Sequence, residues 1–359
     1  MKKSDTFAVI MAGGVGSRFW PYSRNHRPKQ FLDVLGTGDS LIQMTNQRFL
    51  NLCPQENIYI VTNEIYYELV KEQLPELQDQ QILTEPVGRN TAPCIAYASY
   101  KIASKNPQAT IVVSPSDHAI FKETQFVEVI TSGVEAAAHS DKIITIGIKP
   151  SRPETGYGYI QFWPDSGDDV KRVKTFTEKP ELELAQKFIE SGDFVWNSGI
   201  FIWNVQTIKS AFEVFLPEMA ELFAHGEELY YTSGEKDFIR DVYYQCKNLS
   251  IDYGVMEKAP NVFVVLGDFG WSDMGSWSTL HDVKTKDEQG NVFEANVLAY
   301  DTKNCMVKGP KDKLIIVQGL EGYLVADIDN VLVICKKDNE RQFRNFSSDI
   351  KAKKLSQFL

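Results

Sequence analysis

Short apolar runs and amphipathic stretches alternate along the chain from its start to about residue 270. Runs at 7–11, 58–61, 82–84, 110–113, 143–148 and 262–266 are rich in Val and Ile, as expected of strands covered on both faces. Between the first five lie stretches at 41–52, 65–73, 92–103 and 126–138 that read as helices. Strand and helix in alternation predict an α/β fold: an open, mostly parallel, Rossmann-like sheet with helices on both faces. Ligands of such sheets bind beyond the carboxyl ends of the strands, so the turns after those runs are where chemistry is expected.

From 152 to about 204 the pattern changes to short strands and turns, TGYGYI, VKTFTEKP and WNSGIFIW, and reads as an insertion on the main sheet. Helical segments return at 181–191, 208–223 and 236–246. After about Gly290 the chain is strand-rich with little helical pattern, and VLAYDTKNCMVKG and LIIVQGLEGYLVADIDNVLVICKKD suggest rungs punctuated by Gly, Asn and Asp. No clean repeat period fixes how those rungs wind. The expected division is a large domain over 1–289, with its insertion at about 152–204, and a small β domain over 290–359. That tail holds none of the candidate catalytic groups, yet it carries enough Val, Ile and Leu to need burial, which predicts packing on the large domain or on a second copy, as a homodimer.

The turn after the first run loses its side chains at Ala12-Gly13-Gly14 and again at Gly16, which lets backbone N–H groups approach a phosphate. Arg18, Arg24, Arg27 and Lys29 follow, and no acidic residue occurs between Asp5 and Asp33. On a chain of net charge −10, such a local excess of cations points to a polyanion. Phe19 stands where a dinucleotide fingerprint needs its third glycine, and no G-x-x-x-x-G-K-[ST] string occurs. A plain strand-to-helix turn with a basic surface would account for the glycines, but not for the spacing from Gly16 to Arg18 and on to Pro28-Lys29.

Composition narrows the function further. Hydrophobic residues at 43% and charged ones at 24% are ordinary globular values. No apolar run reaches the ~18 residues of a membrane span. The opening MKKSDT is followed by too short an apolar run for a secretory signal, so a cytoplasmic protein is expected. Five cysteines, Cys53, Cys94, Cys246, Cys305 and Cys335, are odd in number and never in C-x-x-C spacing, which supports free thiols rather than disulfides or zinc. The acidic balance argues against a nucleic-acid binder and, with the basic loop, favours a small anionic substrate.

Carboxylates for a divalent metal should sit in turns after strands. Asp117 ends TIVVSPSDH and Asp273 lies in VFVVLGDFGWSDMGSW, each after an apolar run. Capping of a turn is the plain alternative for both, and Asp268 in the same turn reads as structural.

The string GGVGSRFWPYSRNHRPKQF resembles the signature of the sugar-nucleotidyltransferases, most of all their guanylyl-transferring members, and the resemblance runs over nearly the whole chain. It implies transfer of GMP from GTP to mannose 1-phosphate, with Mg2+ or another divalent cation. It implies that Asp117 and Asp273 bind the metal, that Arg18 and Lys29 act on the triphosphate, and that Ala12, Gly13, Gly14 and Gly16 cradle it. The turn EPVGRNTAPCIA is similar to a guanine-reading turn, with Pro86, Gly88, Arg89, Asn90 and Thr91 as base-side residues, although Thr91 also reads as the cap of a helix starting at Ala92. Three strings resemble the family's sugar-phosphate motifs: Gly156-Tyr157-Gly158, Glu178-Lys179-Pro180 and Asn197-Ser198-Gly199. In this family the tail is a short left-handed β-helix. Some relatives add an isomerase domain, for which 290–359 leaves no room beside the β segment, so a single activity is expected. A phosphate nucleophile is already ionised near pH 7, its second pKa being ~6, so no side-chain base is needed. The competing readings are a transferase for another nucleotide or sugar, and a non-catalytic nucleotide-sugar binder. Against the second stand Arg18, Lys29, Asp117 and Asp273 together.

Overall fold

The computed structural model describes residues 3–164 and 169–359. The chain forms two compact units. One comprises the segment ending at Gly13 together with Gln43–Ser116 and Ile120–Trp271, and the other comprises Gly14–Ile42, Asp117–Ala119 and Ser272–Leu359.

In the first unit a 9-stranded sheet is built from β1 (Thr6–Met11), β2 (Ile58–Asn63), β3 (Ile82–Glu85), β4 (Thr110–Pro115), β5 (Ile143–Ile148), β6 (Gly158–Phe162), β7 (Val170–Glu178), β8 (Phe194–Asn204) and β9 (Val262–Gly267). Its order is β3-β2-β1-β4-β8-β5-β9-β7-β6. The first four strands run parallel, and Met11 is level with both Val61 and Pro115, so the turns after β1, β2 and β4 emerge at one edge. Their near-continuous apolar character is explained by burial on both faces: Phe7, Val9, Tyr59, Val61 and Leu83 are covered by the helix Thr91–Lys105, whose Ala92, Ala96 and Ala98 allow close approach.

The expectation of an open sheet needs correction. It holds for β3-β2-β1-β4, but β8 runs antiparallel to β4 and β5 and also pairs with β6, so β8, β5, β9, β7 and β6 close on themselves as a five-stranded barrel. The 152–204 segment therefore supplies β6, β7 and β8, three of the five strands of a closed ring. Local patterning cannot reveal this, because it does not say which strands become neighbours. Between Thr145 and Gly147 the register shifts, so β8 carries extra residues at Asn197-Ser198-Gly199. Such bulges re-aim side chains.

In the second unit, β10 (Val292–Glu294), β12 (Met306–Lys308) and β14 (Tyr323–Ile328) stack in parallel, as do β11 (Asn296–Tyr300) and β13 (Leu314–Gln318). Successive strands alternate between the two stacks, a β-helix-like arrangement with Val307, Val317 and Val325 buried together. β15 (Val331–Lys336) turns back antiparallel on β14. Little helix was expected here, yet the chain continues into a helix at Glu340–Ala352. Its signal was thin: Phe343, Phe346 and Ile350 mark one face of an otherwise polar segment.

The basic segment after the glycines belongs to this same unit. Phe19, Trp20, Leu32, Trp277 and Leu280 share one core with Val292, Met306, Leu324 and Phe343. Trp20 Nε1 donates to Phe358 O at 2.7 Å, and Trp277 Nε1 to Trp20 O at 3.1 Å. Cys53, Cys94, Cys246, Cys305 and Cys335 are free thiols, in line with the sequence reading. Among the described residues no helix is long and apolar enough to cross a membrane.

Candidate active site

Within the second unit, Lys29 is the centre. Its side chain is buried, and its Nζ lies 2.7 Å from Asp117 Oδ2, 2.8 Å from Asp273 O and 2.9 Å from Met274 O. One cation thus ties together both turns predicted to bear metal carboxylates. Burial alone would raise the Asp117 carboxyl; Lys29, with His118 beside it, outweighs that and holds it below the usual carboxylate range. The Asp273 side chain shapes its own turn, Oδ1 accepting from Gly275 N at 2.8 Å.

The glycine loop is built against this lysine. Gly16 sits at φ 72, and a Cβ there would lie 2.6 Å from Lys29 Cβ. Lys29 N donates to Val15 O, Ser23 Oγ to Gly16 O, and Gln30 Nε2 to Gly14 O, which hold the loop open-faced without using its N–H groups. Gly14 is exposed and Arg18 half-buried on the short turn Ser17–Phe19. The four cations of the sequence reading do not act together. Arg24 is buried, donating to Asn330 Oδ1 at 2.9 Å, Ile328 O at 3.0 Å and Pro21 O at 3.2 Å, so it is a structural tie.

Within the first unit, Ala12 continues the edge after β1, its N donating to Val61 O and its carbonyl accepting from Thr62 Oγ1. Gly13 is exposed, and a Cβ on it would lie 3.3 Å from Glu85 Oε2. Glu85, the last residue of β3, is buried and accepts from Tyr243 OH at 2.9 Å; burial pushes its carboxyl up to about 7, against the pull of that hydrogen bond. A buried carboxyl at a strand end was legible only as the first letter of the EPVGRN string, and its importance was missed.

After Glu85 come Pro86 and the exposed Gly88 and Asn90. The helix starts at Thr91, and its cap is Asn90, at φ 69, whose Oδ1 accepts from Thr91 N at 2.9 Å. Thr91 instead takes Ile251 N on its hydroxyl at 2.9 Å. Arg89 Nε donates to Tyr243 O, Leu249 N to Arg89 O and Ala92 N to Leu249 O, so 243–251 braces this turn.

The three sugar strings come together in the barrel. Gly158 opens β6, Glu178 ends β7 and Asn197 lies in the bulge of β8; a Cβ on Gly158 would fall 2.6 Å from Glu178 Oε2 and 3.4 Å from Asn197 Cβ. Gly156 is half-buried, its N donating to Glu154 Oε1 at 3.0 Å. Tyr157 packs edge-on against Trp196 and Trp271, both at 5.2 Å between centroids. Lys179, at φ 47, pairs with the Glu178 carboxylate, and its N donates to Tyr157 O. Asp252, absent from the sequence reading, accepts from Asn197 Nδ2 at 2.8 Å; burial, reinforced by Glu178, pushes its carboxyl up.

Residues 7–290 match the family model described as Nucleotidyl transferase, and 295–346 match a MannoseP isomerase/GMP-like beta-helix domain. Xanthan biosynthesis protein XanB of Xanthomonas campestris is 38% identical over 356 residues, covering 97% of this chain and 74% of the relative. A mannose-1-phosphate guanylyltransferase of Salmonella montevideo is 40% identical over 343 residues, 90% of this chain and 71% of the relative. A crystal structure from Thermus thermophilus, described as mannose-1-phosphate geranyltransferase, aligns with a TM-score of 0.85 at 32% identity over 97% of this chain and 99% of its own.

Proposed function

We propose, since this chain belongs to the nucleotidyl transferase family, that it transfers GMP from GTP to mannose 1-phosphate and releases pyrophosphate. The observation that carries this reading is the buried Lys29, held between Asp117 and the Asp273 turn behind an open glycine loop. Relatives bearing the guanylyltransferase name at 34–40% identity support the choice of substrates.

In this reading an oxygen of mannose 1-phosphate attacks the α-phosphorus, a new P–O bond forms, and the bond to the β-phosphate oxygen breaks as pyrophosphate leaves. The nucleophile arrives ionised, so the protein's task is to place two anions and stabilise charge. Gly14, Gly16 and Arg18 would hold the triphosphate, and Lys29 would meet charge growing at the α-phosphate. Glu85 with the turn Pro86–Thr91 would read the base. Glu178 and Asn197 would take sugar hydroxyls beside Gly156–Gly158, and Lys179 the sugar's phosphate.

Asp117 and Asp273 fit a magnesium ion, which favours one or two carboxylates completed by water and phosphate oxygens. Among the described residues no group of three or more His, Cys, Asp or Glu could hold a metal. When bound, such an ion supplies charge neutralisation on the phosphates.

The functional division is 1–289 and 290–359, the rungs wind left-handed, and the enzyme works in the cytoplasm as a homodimer. The exposed row Leu298, Tyr300, Leu314 and Ile316, on neighbouring strands β11 and β13, supports assembly of two copies through the tail.

The test is pyrophosphate release with GTP, dTTP, UTP and ATP against a panel of sugar 1-phosphates, with and without magnesium. Magnesium-dependent release fastest with GTP and mannose 1-phosphate is expected, and Asp117→Asn or Asp273→Asn should cut it by roughly two orders of magnitude. Faster turnover with another nucleotide, or no turnover with any pair, would overturn the reading.

A further inference from the structure

The structure assigns to Asp252 the role of fixing which way Asn197 faces in the hexose site, a positioning residue for sugar recognition. The inference rests on the reading above that Gly156–Gly158, Glu178 and Asn197 receive the sugar.

The facing of the Asn197 amide follows from a donor that cannot change its role. Gly199 N lies 3.0 Å from one atom of the carboxamide, and a backbone N–H only donates, so that atom is the carbonyl oxygen. Thr145 Oγ1 approaches the same oxygen at 3.4 Å. The NH2 group therefore faces the other way, and one of its two N–H bonds goes to Asp252 Oδ1 at 2.8 Å. The second N–H is the donor a sugar hydroxyl would meet. Glu178 Oε2 stands across Gly158 from Asn197, so an acceptor and a donor face the same small space.

A neutral partner would hold that amide less firmly than a carboxylate does, because hydrogen bonds to charged acceptors are shorter and stronger. Firmness matters where several hydroxyls compete for the same amide. Asp252 itself is anchored on both sides. Downstream it opens the π-helical turn Asp252–Met256, with Glu257 N donating to Asp252 O at 3.0 Å. Upstream, Ile251 N is held by Thr91 Oγ1 and Leu249 pairs with Arg89 and Ala92. The carboxylate is thus delivered by a braced segment, and it reaches Asn197 from outside the three sugar strings.

Steady-state kinetics on the full chain decide it. Asp252→Ala should raise KM for mannose 1-phosphate about tenfold while leaving KM for GTP within about twofold. Asp252→Asn retains an acceptor for the amide but not its charge, and should recover part of the loss. In an Asn197→Ala background, Asp252→Ala should add nothing further, because its effect passes through Asn197. If Asp252→Ala does not fold, as read by melting, Asp252→Ser takes its place in each comparison. Unchanged KM for the sugar phosphate, equal losses for both substrates, or additive effects in the double variant would each overturn the assignment. A wild-type enzyme that prefers another sugar 1-phosphate sinks the earlier substrate reading instead, and the Asp252 series is then read on the sugar it accepts.

Discussion

Replacing Glu85 by Gln should make the protein more stable and a poorer enzyme at once. Glu85 is 6% exposed and has a donor in Tyr243 OH, yet burial lifts its carboxyl from 4.5 to about 7. A folded-state pKa above the unfolded one means that the native protein holds its proton more tightly. Stability from this group is then fully present below pH 4.5 and is lost as pH rises through about 7. At 1.36 kcal/mol for each tenfold step, the loss is about 3 kcal/mol above pH 7. Gln keeps the shape and an acceptor for Tyr243 but does not ionise. Urea midpoints should therefore nearly coincide at about pH 4, below the unfolded pKa, while at about pH 8 Glu85→Gln should be more stable by as much as about 3 kcal/mol. Catalysis should move the other way. A carboxylate accepts two donors from one base edge, whereas an amide offers a single acceptor, so kcat/KM for GTP should fall by about an order of magnitude. Parallel pH dependence of stability in the two proteins would refute the burial argument, and an unchanged kcat/KM would remove Glu85 from the base site.

On the proposed reading Lys29→Ala should lower kcat strongly, because its charge would meet charge growing in the transition state, whereas Lys179→Ala should chiefly raise KM for the sugar phosphate; a Lys179 effect on GTP alone would contradict the division. Gly16→Ala places a Cβ 2.6 Å from Lys29 Cβ at φ 72, so calorimetry should show a lower melting temperature and turnover should drop with it. Deleting 290–359 strips Val292, Met306, Leu324 and Phe343 from the core that backs Phe19 and Trp277, and removes Asn330 and Ile328 from Arg24. Since burying one large aromatic is worth about 3–5 kcal/mol, the truncated chain should be poorly soluble or bind GTP and magnesium weakly, as light scattering and titration would report. A soluble truncation with full GTP binding would show that the loop holds its shape unaided.

What the sequence displayed, and what it hid, follows from which interactions leave a local mark. β1, β2, β4 and β5 are buried on both faces, and that demand is written directly as Val and Ile runs. The glycine loop was legible for the same reason, since Gly16 is required by its own backbone and its own neighbour. Strand order left no such mark, and β8 inserts between β4 and β5 through pairings made far along the chain. The helix at Glu340–Ala352 showed only Phe343, Phe346 and Ile350 among charges.

The cations are the instructive case. Arg18, Arg24, Arg27 and Lys29 look alike as letters, but a guanidinium is satisfied equally well by phosphate oxygens or by carbonyls, and only the fold decides which it meets. Arg24 is consumed by Ile328 O and Asn330, and Arg27 is exposed. Lys29 is different because its three oxygen partners come from two turns that each carry a candidate metal carboxylate. A buried ammonium of this kind costs desolvation unless it is fully partnered. Its partners are therefore the reason the two turns stay fixed before any substrate arrives, and a lysine that only decorated the surface would have no hold on them.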